Sequence, residues 1–252
     1  MDIAKFTELG LELKNSLSLQ KPIGLKFCRS MDEIPVKAKR PLRDFGKHMA
    51  ICQSINIARS FGFTIALTLE DNYCIAGASV FGLIDFPYSF YPHHVRDEEC
   101  GQIMDKIFTQ RNALLPKNEI QAIVISPLDR LLIEPDMIII YGSAAQIAKI
   151  AKGFNWQGET VGSLFFGGLG CSTYVASYAE KKPYFKIAAG GEKVMANTGD
   201  YELDICFPAD RLEDVLKGTK GSNRMLPYPM ICTTMLNEPS VPDDYKITYK
   251  DL

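Results

Sequence analysis

The sequence predicts an α/β protein, with α+β as the alternative, in which helices pack against a mixed β-sheet within a single domain. Three observations carry that expectation. Short apolar runs alternate with amphipathic stretches of helical period along most of the 252 residues. No linker rich in Gly, Ser or Pro separates two halves, so the domain is expected to run from 1 to 252, with a proline-rich peripheral tail from about residue 227. Finally, PDMIIIYGSAAQIAKIAKG at 135–153 aligns without a gap on DYELDICFPADRLEDVLKG at 200–218. Each is an apolar strand, a turn and an amphipathic helix ending in Lys-Gly, which reads as one unit used twice. Any two such units share a pattern, so coincidence is the competing reading.

In chain order, Ile3, Phe6, Leu9, Leu13 and Leu17 fall at near-helical spacing, predicting an amphipathic helix over 3–18. KPIGLKFC (21–28) reads as a strand and KAKRPLRD (37–44) as a basic loop. HMAICQSINIARSFG (48–62) reads as a helix stopped by Gly62. A strand at TIALTLE (64–70) and a short apolar helix at CIAGASVFGL (74–83) follow. An aromatic loop, FPYSFYPHH, leads to a helix over about 98–112. Strands are then expected in IQAIVISPL, DMIIIYG, ETVGSLFF, PYFKIAAGG and YELDICFP, and helices in AAQIAKIAKGF, STYVASYAEKK and DRLEDVLKGTK.

With 46% apolar residues the chain can bury a sizeable core. A net charge of −2 supplies no positive field to collect phosphates or anionic lipid, so neither nucleic acid nor a membrane is an expected partner. The N-terminus has no apolar signal core and no 18-residue uncharged apolar run occurs, which predicts a cytoplasmic protein. A homo-oligomer is left open.

The cysteines carry the functional question. Seven is an odd number, against a full disulfide framework in a reducing compartment. No CxxC occurs and neighbouring cysteines are never closer than the 22 residues from Cys52 to Cys74, so a shared site must be assembled by the fold. Cys171 follows GGLG and Cys74 follows EDNY, each near the first turn of an expected helix, where unpaired N–H groups favour thiolate. Cys52 is placed inside its helix with His48 four residues earlier, a spacing that would let both reach one ion.

Each cysteine also reads as core filler, and for Cys28, Cys206 and Cys232, in apolar segments, packing is the expectation. Cys100 reads as exposed and incidental. Gly167, Gly168 and Gly170 allow a tight turn or a close ligand approach, but lack a dinucleotide or phosphate-loop spacing. Arg40 and Arg43, in the basic run 37–47, are the candidates for an anion clamp beside the Cys52 helix. His93 and His94 read as a surface feature, and no GxSxG marks a serine nucleophile.

CQSINIARSFGFTIAL, the cysteine of DNYCIAGASVFGL, VISPLDRLLIEPDMIIIYGSAAQI and the glycine-preceded Cys171 together resemble the domain-of-unknown-function family numbered 169, also labelled ArCR, of archaea and anaerobic bacteria, over about 22–242. The family has no assigned activity. The resemblance implies that Cys52, Cys74 and Cys171 match its recurrent cysteines. It also implies that many relatives carry another near GGEK, where this chain has Ala188 and Ala189. Three thiolates would then hold an iron–sulfur cluster or another metal with one position open to a small molecule or a redox partner protein, or His48 would instead supply the fourth ligand. A noncatalytic binder of an anionic metabolite and a thiol enzyme with Cys171 as nucleophile are the competing classes.

Overall fold

The computed structural model describes residues 1–87, 94–165 and 169–222. Within them lies one seven-stranded sheet, strand order β2-β3-β1-β4-β7-β6-β5. The strands are β1 (Ile23–Cys28), β2 (Ile65–Thr68), β3 (Ala122–Pro127), β4 (Met137–Ser143), β5 (Gly162–Ser163), β6 (Tyr184–Ile187) and β7 (Glu202–Pro208). Every pairing is antiparallel except that of β5 with β6, so the sheet is mixed, as expected.

Strand periodicity explains why helices cover both faces, because successive side chains point opposite ways. Ile23, Leu25, Phe27, Ile123, Ile125, Met137 and Ile139 face one core, beneath helices α3 (Ile51–Phe61), α4 (Ile75–Val80), α5 (Glu98–Gln110) and α7 (Ser172–Glu180). The alternate residues Ile138, Ile140, Ile205 and Phe207 face a second core under α1 (Ile3–Leu17), α6 (Ala144–Trp156) and α9 (Leu212–Gly221). Strands buried on both faces read as continuous apolar runs, as IVISP and MIIIY do.

The two aligned segments are both strand–turn–helix units. β4 and β7 are antiparallel neighbours, and the register sets Ile140 opposite Ile205, which are equivalent positions in the alignment. A local twofold relation therefore passes between them. It continues into the helices: Ile147, Ile150, Leu212 and Val215 share one core, and α6 crosses α9 at the equivalent glycines Gly153 and Gly218. A Cβ built on Gly218 would lie 2.0 Å from the Gly153 carbonyl oxygen, so only glycine permits this approach. One difference separates the units, a 3-10 turn at Ala209–Arg211 before α9.

Several boundaries depart from the sequence reading. The basic segment contains a short helix, α2 (Pro41–Phe45), because Pro41 occupies its first turn, where a missing N–H costs nothing. α3 begins at Ile51 rather than at 48, since Met49 is tied by a backbone hydrogen bond to Asp71 and runs beside Asn72. PYFKIAAGG is not one strand: β6 stops at Ile187 and α8 (Gly190–Ala196) begins where Glu192 accepts the Ala189 N–H (2.8 Å). Among the described residues of ETVGSLFF only Gly162–Ser163 pairs. The expected tail from 227, with Cys232, lies outside the described residues, as do Gly167, Gly168 and His93.

Candidate functional site

Cys52, Cys74 and Cys171 line one partly open cavity, together with Ala76, Gly77, Leu169, Gly170, Ala189, Gly191, Glu192 and Met195. The convergence comes from helix starts. Cys52 is the second residue of α3, Cys74 caps α4, Cys171 caps α7, and Ala189 caps α8. Four chain segments thus turn into helices around one space, and each turn presents a small residue or a thiol to it.

Each thiol is held differently. Cys74 Sγ accepts the Gly77 N–H (3.4 Å), and its own N–H is fixed by the Asn72 side chain (2.9 Å). Cys52 is buried, its thiol directed at the Gly191 carbonyl (3.9 Å), which links α3 to α8. Cys171 is half-buried at the head of α7. Burial pushes the Cys52 thiol up to about 12, with Glu192 and Cys74 adding to the rise. Burial likewise raises Cys171 well above an ordinary thiol, and the negative potentials of Cys52, Glu192 and Cys74 act in the same direction. Each of these thiols therefore feels its neighbours, and with no added cation both Cys52 and Cys171 stay protonated at neutral pH.

The glycines act by clearing space. A Cβ on Gly170 would sit 2.8 Å from Ala189 Cβ and 3.0 Å from Glu192 Oε2, and one on Gly77 would sit 3.0 Å from Ile51 Cδ1. The cavity measures about 40 Å³. That is room for about two or three waters in a space that is partly open to solvent.

Under the cavity is a charged cluster that sequence reasoning missed. Lys186 is fully buried and donates to both carboxylate oxygens of Glu192 (2.8 and 2.6 Å) and to Asp204 Oδ2 (2.5 Å). Asp204 lies between Lys186 and Tyr141 in the sheet register. Tyr141 donates to Glu192 Oε1 (2.7 Å), and the Tyr141 and Tyr174 hydroxyls are 2.8 Å apart. A second pair, Arg59 with Glu202 (2.7 Å), lies alongside, its guanidinium over the Tyr141 ring. Part of the signal is in the sequence: Lys186 stands among apolar residues in β6, and Glu202 and Asp204 share the core-facing parity of β7.

The other sequence candidates go elsewhere. His48 is exposed, precedes α3 and is not among the cavity-lining residues, so the same-face pairing with Cys52 is corrected. Arg40 is an anchor of the turn before Cys74: it donates to Asp71 (2.5 Å) and Thr68 (2.8 Å). Arg43 bonds Asp44 and the Ala38 carbonyl. Neither arginine lines the cavity. Cys28 and Cys206 are buried in the sheet, and Cys100 is half-exposed on α5. Among the described residues, no group of three or more His, Cys, Asp or Glu side chains is already drawn together as a ready metal site.

The family model for domain of unknown function 169, described as uncharacterised ArCR, matches residues 12–218. The chain belongs to this family. No curated protein and no solved structure matches it. Ala189, beside the GGEK segment, lines the same cavity as the three thiols. Among the described residues no helix is long and apolar enough to cross a membrane.

Proposed function

We propose that Cys52, Cys74 and Cys171 hold a thiolate-bound metal centre, an iron–sulfur cluster or a single soft metal ion, that leaves one position open for redox or cofactor chemistry. The observation that carries this reading is the meeting of three thiols, far apart in sequence, at the starts of three helices around one partly open cavity. Sulfur donors suit iron–sulfur and zinc chemistry. A bound cation also supplies what the raised Cys52 and Cys171 thiols lack, a positive charge that stabilises their ionised forms. The chain's part is to bring the donors together and to exclude bulk. On the α8 side the cavity is lined by Ala189 rather than a thiol, and Glu192 there is committed to Lys186 and Tyr141.

The competing classes have less support. A nucleophilic Cys171 needs a lowered thiol pKa, whereas burial raises it. An anion clamp built on Arg40 and Arg43 has both side chains committed to partners outside the cavity. Anaerobic purification tests the proposal: iron and acid-labile sulfide, or stoichiometric zinc, should accompany the protein and disappear from Cys52→Ser, Cys74→Ser and Cys171→Ser variants that remain folded. Folded wild-type protein that holds no metal, and takes none up under anaerobic reconstitution with iron and sulfide or with zinc, would refute it.

A further inference from the structure

We propose that Asp204 is a proton-binding site coupled to the cavity, taking up a proton when negative charge is placed among Cys52, Cys74 and Cys171. The inference rests on the thiolate reading of that cavity and adds to it an acid–base partner.

The buried cluster holds one cation, Lys186, and two carboxylates, Glu192 and Asp204, and the neighbouring Arg59 and Glu202 cancel each other. With both carboxylates ionised the cluster carries one net negative charge with no further buried cation to offset it. Three thiolates on a divalent ion add another negative charge close by. Two uncompensated charges in one dry region are costly, and a proton on one carboxylate removes the cost.

The surroundings choose which carboxylate receives it. Glu192 is well suited to ionisation, since its oxygens accept from Lys186, from Tyr141 and from the Ala189 N–H. Asp204 is not. Its Oδ2 accepts from Lys186 and, at 3.4 Å, from Tyr174, while its Oδ1 is buried without a hydrogen-bond partner. The groups facing Asp204 are Lys186 on β6, Tyr141 on β4, Tyr174 on α7, Glu192 on α8 and Cys206 on its own strand. Burial accordingly pushes Asp204 up to about 7, with Glu192 adding to the rise against the pull of Lys186, whereas Glu192 is held below its ordinary value despite burial by Lys186.

A route exists as well. Asp204 Oδ2 lies 3.4 Å from the Tyr174 hydroxyl, which is 2.8 Å from the Tyr141 hydroxyl and 3.3 Å from Glu192 Oε1, and Glu192 lines the cavity. Two hydroxyls can pass a proton along this chain without opening the core.

Zinc alone is a sufficient probe. At about pH 8, where Asp204 is mostly ionised in the metal-free protein, the balance is Zn²⁺ plus three thiols plus the Asp204 carboxylate giving the zinc trithiolate, a neutral Asp204 carboxyl and two free protons. Wild-type protein titrated with Zn²⁺ in a pH-stat should therefore release about one proton fewer than Asp204→Asn, which should release all three thiol protons. In parallel, infrared difference spectra of wild type labelled with ¹³C-carboxyl aspartate should show a protonated carboxyl band appear on zinc binding. That second measurement stands even if the variant does not fold. Zinc bound with equal proton release and no carboxyl band overturns the coupling while leaving the thiolate site intact. Wild type that binds no zinc, while Cys171 stays protonated and unreactive, overturns the thiolate site and the coupling with it.

Discussion

The two faces of the sheet use glycine for opposite ends. On the face of α6 and α9, Gly153 and Gly218 bring backbone against backbone, and the space they free is filled by the neighbouring helix. On the other face, Gly170 and Gly77 border a cavity, and part of the space they free stays open beside three thiols. The same missing Cβ serves cohesion in one place and access in the other. Packing should therefore respond to substitution on the first face, and chemistry on the second.

The largest effect is expected where no side chain can yield. Gly218→Val places a branched side chain against the Gly153 carbonyl and should cost roughly 3 kcal/mol or more of stability, read as a lower denaturant midpoint. Metal content per folded molecule should be unchanged. Equal stability in variant and wild type would mean that the helices do not cross as described.

Next in size is the pH response of the buried cluster. Asp204 ionises near 7 when folded and about 3.9 when unfolded, so between those values the folded state holds the extra proton and stability falls as pH rises. The favourable contribution is full below about pH 4 and is lost as pH rises through about 7. Glu192, held low, acts in the opposite sense, its contribution being lost only as pH falls through its folded value. Asp204→Asn should flatten the fall between about pH 4 and 7 in urea unfolding curves. A slope identical to wild type would show that another group titrates there.

Smaller still is the response at the cavity. Gly170→Ala should lower stability by about 1 kcal/mol by pressing on Ala189, and Ala189→Gly in the same chain should recover most of it. Gly170→Val should in addition prevent metal uptake. The smallest effect separates two cysteines. Cys206, buried in the core beside Thr173, should lose about 1–2 kcal/mol on change to Ser, whereas half-buried Cys171 should lose less than about 1 kcal/mol and yet lose metal. Equal thermal shifts with unchanged metal would reduce Cys171 to a packing residue.

The fold was largely legible because apolar strands and amphipathic helices announce themselves by period, and the repeated unit by its gapless alignment. The three cysteines were legible as residues near helix starts. His48 was misplaced because a four-residue spacing implies a shared face only inside a helix, and Met49 is instead bonded to the turn at Asp71. The start of α8 was hidden by an apolar run, IAAGG, that fits a strand as well as a cap. The Lys186 cluster was obscured for a different reason: its members come from five elements, and a single lysine in a strand does not say what lies across from it.

The twofold relation between β4 with α6 and β7 with α9 also supplies an internal reference. Where the second unit buries Asp204, the first has Ile139 at the equivalent place, on the same side of the sheet and equally hidden from water. Of two units with one architecture, the first keeps a hydrocarbon at this place and the second puts a buried carboxyl there.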